Sequence, residues 1–352
     1  MAIVLLAYLI SMRYRTLGRT GIVVSNLCLG TMMMGAWGST GDVECRAMVD
    51  AALEAGVNFI DTADVYAFGE SEELLGRALK GRRDDVVLAT KFNNAMDEDP
   101  NHRGNSRRWI FRAVEDSLRR LQTDWIDLYQ VHRPDESCDI DETLSALSDL
   151  VHAGKVRCIG TSNFPPEQIV EARWVAETRA RERFACEQPS YSVLARGVES
   201  SVLPTCQRFG MGVITFSPLN GGWLTGKYRR DASPPEDSRA SRYPDHFDFG
   251  GAATEAKLDA VERLQRIAGE TGLSLVHLAL GFVLEHPAVT SAILGPRSAA
   301  QLQELIGAAD VDLSEEVLDA IDAVVPPGTN LNPGDSGWSP ALPASERRRR
   351  RP

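Results

Sequence analysis

From Asn26 onward the chain alternates apolar runs of strand length with amphipathic runs of helical length, eight times over. The strand-like runs fall at 26–30, 57–61, 86–91, 126–131, 156–160, 184–188, 212–216 and 290–294. Helical patterns lie at 43–55, 70–80, 106–121, 140–153, 165–179, 198–209, 254–271 and 298–308. Strands separated by helices cannot pair as hairpins and form parallel βα units instead. Within the α/β class, a doubly wound open sheet and a closed (β/α)8 TIM barrel both satisfy that pattern. The count of eight favours the barrel, as do ionisable residues at the ends of several strands. An open sheet would gather its ligand groups at one switch point.

Four parts fall outside the repeat. Residues 13–25 read as a β-hairpin capping the bottom of the barrel, with Gly18 and Gly21 at its turn. Residues 229–252, rich in Arg, Asp, Ser, Pro and Gly, read as a long mobile loop. A helical run at 274–285 is an extra element towards the C-terminus. From Pro326 on, Pro, Gly and Ser accumulate and periodicity is lost. The expectation is one barrel domain over 13–325 and a flexible tail over 326–352. Residues 1–12 are expected to be a non-native or disordered extension. They are apolar but too short to span a membrane, and lack the positive flank and cleavage site of a secretory signal.

Composition narrows the classes of function. The chain has 352 residues and a net charge of −11, although Arg347 to Arg351 form a basic run. An acidic body argues against nucleic acid as the main partner, because phosphate neutralisation supplies most non-specific affinity. The six cysteines are scattered with no C-x-x-C pair, which points to a reduced, cytoplasmic protein without a disulfide framework. No H-E-x-x-H or clustered His/Cys set exists, so no catalytic metal is expected.

The strand ends carry the chemistry. Val57-Asn58-Phe59-Ile60 runs into Asp61-Thr62-Ala63-Asp64-Val65-Tyr66, a second strand ends in Lys91, and a third ends in His132. A free phenol has a pKa near ~10 and is a slow acid at neutral pH. A nearby cation lowers that value, and a carboxylate holds the cation in place. Asp, Tyr, Lys and His at successive βα junctions are what a proton-donating tyrosine and its tuning partners need.

With these residues in place, the chain resembles an aldo-keto reductase from about residue 13 to 325. The matching segments are D-T-A-D-V-Y at 61–66, A-T-K-F at 89–92 and D-L-Y-Q-V-H-R-P-D at 127–135. They continue with G-T-S-N-F at 160–164, Q-P-S-Y-S at 188–192, F-S-P-L-N-G-G at 216–222 and G-P-R-S-A-A-Q-L at 295–302. Each alone is weak; seven in order at strand ends are specific. The resemblance implies reversible reduction of an aldehyde or ketone, with Tyr66 as general acid, Lys91 as its tuning cation and Asp61 as the partner of Lys91. It gives His132 a hydrogen bond to the substrate oxygen and a share in proton donation. Relatives that reduce a steroid double bond carry Glu there, so His points to ordinary carbonyl reduction.

The resemblance also implies a nicotinamide nucleotide laid across the barrel top, and no G-x-G-x-x-G follows a strand to support a Rossmann site. Ser162, Asn163 and Gln188 would bind its carboxamide, and Phe216 would stack on the ring. Ser217, Leu219 and Gly221 would line the pyrophosphate. Gly295, Arg297, Gln301 and Glu304 fall at the adenosine end, where Leu305 replaces an Asn of many relatives. Arg297, able to clamp a 2′-phosphate bidentately, favours NADP (NADPH) over NAD. Met33, Trp37, Asn93 and Arg133 are the candidate walls of a pocket for a small carbonyl substrate. Gly221-Gly222-Trp223-Leu224-Thr225-Gly226-Lys227 mimics a phosphate loop, but Tyr228 stands where Ser or Thr would hold magnesium. A nucleotide-sensing subunit like the potassium-channel auxiliary proteins of this fold, and a Schiff-base aldolase using Lys91, are the competing readings. Monomer and homo-oligomer both stay open.

Overall fold

Short runs rich in Val, Ile and Leu are buried on both faces when helices cover a parallel sheet, and here they close on themselves. The computed structural model describes residues 12–338 apart from 39, 40, 231, 237, 244–246, 248 and 250. A hairpin, β1 (Tyr14–Thr16) and β2 (Val23–Ser25), precedes the barrel strands β3 (Leu27–Gly30), β4 (Phe59–Asp61), β5 (Val87–Phe92) and β6 (Ile126–Val131). The circle continues through β7 (Val156–Ser162), β8 (Phe184–Gln188), β9 (Gly212–Thr215) and β10 (Ser291–Leu294), which pairs with β3. Every barrel pairing is parallel, and the β1–β2 pair is antiparallel. The fold is a (β/α)8 TIM barrel with an N-terminal two-stranded sheet, the one of the two architectures that the count of eight favoured.

The connecting helices are α1 (Asp42–Glu54), α2 (Glu70–Ala78), α3 (Arg107–Leu121), α4 (Ile140–His152), α5 (Pro166–Arg179) and α6 (Val202–Phe209). Then follow α7 (Arg239–Arg242), α8 (Ala252–Thr271), α9 (Leu275–Glu285), α10 (Ala299–Ile306) and α11 (Glu315–Asp322). Their starts are written locally: Ser106, Asp139, Ser274 and Ser298 each accept a backbone N–H of the first turn. No single helix among the described residues is long and apolar enough to cross a membrane.

Two apolar cores result. A large one fills the ring between strands and helices. A small one plugs the barrel interior with Cys28, Phe59, Ala89, Leu128, Cys186, Ile214 and Ile293, closed below by Leu17 and Val24 of the hairpin region. Gly18, at φ +54°, sits so close to the barrel floor that a Cβ would lie 2.6 Å from the Ala185 carbonyl oxygen.

Three departures from the sequence expectation have local causes. The loop at 229–252 contains the short helix α7, and its Phe247 and Phe249 pack on Trp223 and Tyr228. Helix α11 was not anticipated, because eight residues hold only two turns of periodicity. Residues 326–338, expected in the flexible tail, run along the barrel top. Arg196 N donates to Thr329 O at 2.9 Å, and Ser190 Oγ donates to Asp335 O at 2.7 Å. Of the expected N-terminal extension only Met12 is described, and the arginine run 347–351 lies outside the described residues.

Candidate active site

The two-residue period of a strand explains where the polar groups sit. Phe59, Ala89, Leu128 and Cys186 form an interior apolar layer, so Asp61, Lys91, Gln130 and Gln188, two residues on, form the layer above it. Register joins them: Lys91 lies beside Gln130, and Ser162 beside Gln188. The result is a polar floor at the C-terminal mouth of the barrel.

Lys91 is fully buried and its ammonium is satisfied on three sides. Nζ donates to Asp61 Oδ1 at 2.5 Å, to Thr62 O at 2.9 Å and to Tyr66 Oη at 3.3 Å. Asp61 Oδ2 in turn accepts from Gln188 Nε2 at 2.9 Å and Gln130 Nε2 at 3.1 Å. Burial by itself would lower the Lys91 pKa, but Asp61 and Tyr66 outweigh it and hold the ammonium above its ordinary range. For Tyr66 the balance is the reverse of the simple sequence argument. Burial raises the phenol pKa, and the pull of Lys91 does not cancel the rise.

His132 ends the floor on the β6 side, edge-on to Tyr66 with ring centroids 5.9 Å apart. Burial, then the charges of Lys91 and Arg133, push its pKa well below the ordinary value, so the imidazole is neutral at pH 7. Asn94 Nδ2 lies 3.0 Å from His132 Nδ1. An amide nitrogen can only donate, so Nδ1 accepts and Nε2 carries the proton. A neutral Nε2–H is a hydrogen-bond donor to an oxygen, and a weaker proton source than the expected shared acid.

Backbone strain marks the mouth. Of the eight non-glycine residues with positive φ among the described residues, Gln122 and Ala180 are helix C-caps. Ala67, Phe68, Asn93, Asn163, Ser217 and Asn220 all lie in loops after strands. A left-handed L-residue costs roughly 1–2 kcal/mol, and such strain gathers where function fixes geometry.

The residues expected to hold a nucleotide form an arc over this floor. Asn163 Nδ2 donates to Ser162 Oγ at 2.9 Å, and Ser162 Oγ donates to Gln188 O at 2.8 Å. Gln188 itself braces Asp61, a duty beyond the one the sequence suggests. Phe216, half-buried, bridges to Ser190, and Ser217, Leu219 and Gly221 continue the arc. At its far end Gly295 and Arg297 lead into α10. The Arg297 N–H donates to Gln301 Oε1 at 2.9 Å, and the Glu304 carbonyl contacts His277. Lys227, Arg239 and Arg297 converge here. Burial first, then the charges of Arg297 and Arg239, depress the Lys227 pKa. Three cations drawn together beside a glycine turn at Gly221 and Gly222 and the start of α10 suit an anionic, phosphate-bearing ligand.

The candidate substrate walls meet at the same mouth. Trp37 lies 6.0 Å from the Tyr66 ring and 6.4 Å from Phe68, and Met33 is buried behind them. A cavity of about 660 Å³ opens beside it, lined by Asn93, Asn94, Arg133 and Trp338 among others. Asn93 Nδ2 is held by Asn105 Oδ1 at 2.9 Å. Arg133 does not pair with Asp135, whose oxygens are taken by Asn105 N and by Ser137. Among the described residues no group of three or more His, Cys, Asp or Glu could hold a metal ion.

Sequence reasoning missed Asn94, Gln130, Arg239 and Trp338, and met Lys227 only as the end of a segment that mimics a phosphate loop. Gln130 was within reach, since it obeys the same two-residue step as Lys91. Trp338 was not: its N–H donates to Asn163 Oδ1 at 3.2 Å across 175 residues.

A buried lysine and carboxylate beside a half-buried phenol at the C-terminal mouth of a (β/α)8 barrel place the protein among barrel proteins whose chemistry sits at the strand ends. Residues 26–326 match the model of the aldo/keto reductase family. The chain is 37% identical over 340 residues to the uncharacterized oxidoreductase YrpG of Bacillus subtilis, covering 93% of this chain and 100% of that one. It is 38% identical over 321 residues to a probable voltage-gated potassium channel subunit beta of Oryza sativa, covering 89% and 97%. To an L-glyceraldehyde 3-phosphate reductase of Escherichia coli it is 33% identical over 332 residues, covering 90% and 93%. The protein belongs to the aldo/keto reductase family, oxidoreductases that act on carbonyl compounds.

Proposed function

We propose that the protein is an NADPH-dependent reductase of aldehydes or ketones, working reversibly. The observation that carries the reading is the Lys91 ammonium held between Asp61 and Tyr66 at distances of 2.5 and 3.3 Å. NADPH, when bound, supplies hydride to the carbonyl carbon. The chain's own residues manage the proton and the charge. Tyr66 gives its phenolic proton to the carbonyl oxygen, and the phenolate left behind faces the Lys91 ammonium. Asp61, braced by Gln130 and Gln188, keeps that ammonium charged in a water-poor floor. His132 donates Nε2–H to the same oxygen and orients it. Positioned acid catalysis of this kind contributes on the order of 10²–10⁴-fold.

Ser162, Asn163 and Gln188 would hold the carboxamide and Phe216 the ring. Lys227, Arg239 and Arg297 would meet the phosphates, which supports NADPH over NADH. Six free cysteines fit a reducing, cytoplasmic setting. A second reading, a nucleotide-binding regulatory subunit with slow turnover, is favoured by the 38% identity to the rice protein named as a channel subunit. Consumption of NADPH and of NADH with a panel of aldehydes separates the two. Multiple turnovers preferring NADPH support the reductase; tight nucleotide binding with no turnover on any aldehyde supports the subunit.

A further inference from the structure

Tyr66 sits in a tight turn in which the Phe68 N–H donates to Val65 O at 3.0 Å. Ala67, Phe68 and Gly69 follow it at φ +48°, +52° and +98°, three successive left-handed residues, before α2 begins at Glu70. What lies beneath is the side chain of Arg120 from α3. Gly69 packs onto it so closely that a Cβ would fall 2.7 Å from Arg120 Cδ and 3.0 Å from Nε. The guanidinium is nearly enclosed, and its Nε donates at 2.7 Å to Glu72 Oε2, whose carboxylate is fully buried in the first turn of α2. The other oxygen of Glu72 accepts the Thr90 hydroxyl at 2.6 Å. Thr90 precedes Lys91 on β5 and points outward where Lys91 points inward.

We infer that Arg120 and Glu72 are positioning residues that set the distance between Tyr66 and Lys91. The inference rests on the proposed roles of that pair. Arg120 props the turn carrying the phenol, and Glu72 ties the base of that turn to the strand carrying the ammonium. The surroundings show why the tie is taut. Asp64, two residues before Tyr66, is buried with neither oxygen hydrogen-bonded, and it lines a cavity of about 210 Å³ with Arg120 and Trp109. The turn is also held by Asp64 N–H to Lys91 O at 3.1 Å and by Trp37 and His132 against the Tyr66 ring, but it has free space on the Asp64 side, and Arg120 of the arginine–glutamate bridge lines that space.

The test is a titration of the Tyr66 phenol, isolated by subtracting the Tyr66→Phe spectrum, in wild type, Thr90→Val and Glu72→Gln. Thr90→Val removes one hydroxyl and no charge. Glu72→Gln removes a negative charge, which through space alone would lower the phenol midpoint. If the bridge sets the distance, Lys91 and Tyr66 separate in both variants and both midpoints rise. The single-turnover rate of aldehyde reduction then falls roughly tenfold in Glu72→Gln and less in Thr90→Val, with NADPH affinity within twofold of wild type. A midpoint unchanged in Thr90→Val and lowered in Glu72→Gln, in folded protein, would overturn the inference. The titration decides this without turnover, so absence of wild-type activity would count against the reductase reading alone.

Discussion

The floor and the rim of the barrel mouth are built on different principles. Asp61, Lys91, Gln130 and Gln188 stand on strands, each within 2% of full burial, and each is fixed by the ladder that fixes its neighbours. Lys227, Arg239 and Trp338 stand on the segments between barrel strands or after them, half-buried or exposed, and reach the site through contacts distant in sequence, while the exposed Arg133 follows His132 directly. The floor cannot move without breaking barrel pairing, so its charges stay aligned through a reaction cycle. The rim can part and close, as ligand entry requires. Chemistry is expected to fail when the floor is altered, and affinity when the rim is.

The largest effect should come from the floor. Lys91→Met removes the cation facing the phenolate, and kcat should fall on the order of 10²–10⁴-fold while NADPH affinity, read by fluorescence quenching, stays near wild type. A matching loss of affinity would erase the distinction between the two regions. Next comes the far rim. Arg297→Ala should weaken NADPH roughly 10–100-fold, the range of a lost charge-assisted hydrogen bond, and leave NADH almost unaffected. Asn94→Leu sits between the regions. Without the amide, His132 is free to change tautomer, and kcat should fall about tenfold with little change in KM.

The smallest effect on catalysis is expected from Trp338→Ala, a few-fold change in KM with kcat kept. Stability supplies a separate check on burial beneath the mouth. Glu187 is enclosed, and burial raises its pKa from 4.5 to about 8 despite bonds from Thr161 and the Phe164 N–H. Between those two values the unfolded chain loses this proton and the folded one keeps it. Wild type is therefore penalised as pH rises through that window, and the penalty is constant above it. Glu187→Gln carries no such titration. Its melting temperature relative to wild type should climb between pH 5 and pH 8, by on the order of 5 °C.

The floor was legible in the sequence because its logic is local. A polar residue two steps beyond an apolar one at a strand end points into the same barrel interior, so Asp61 and Lys91 could be read from spacing and order. Gln130 follows the same rule but was passed over beside the more conspicuous His132. The rim was less legible because it depends on closure. Nothing near Arg239 in a loop of Arg, Pro and Asp announces that it will meet Lys227 and Arg297. The segment around Trp338 reads as tail by composition, and only the folded barrel offers the Asn163 amide that it engages. The neutral state of His132 was hidden for the same reason, since it follows from burial beside Lys91 and Arg133 and from contact with Asn94.

The most direct measurement is stopped-flow reduction of an aldehyde by the preformed NADPH complex of Tyr66→Phe beside wild type. The account expects NADPH to bind both proteins alike and the hydride-transfer transient to slow at least roughly 100-fold in the variant. A Tyr66→Phe transient as fast as wild type, with cofactor bound, would show that the proton comes from elsewhere and would contradict the proposed role of the Asp61–Lys91–Tyr66 array.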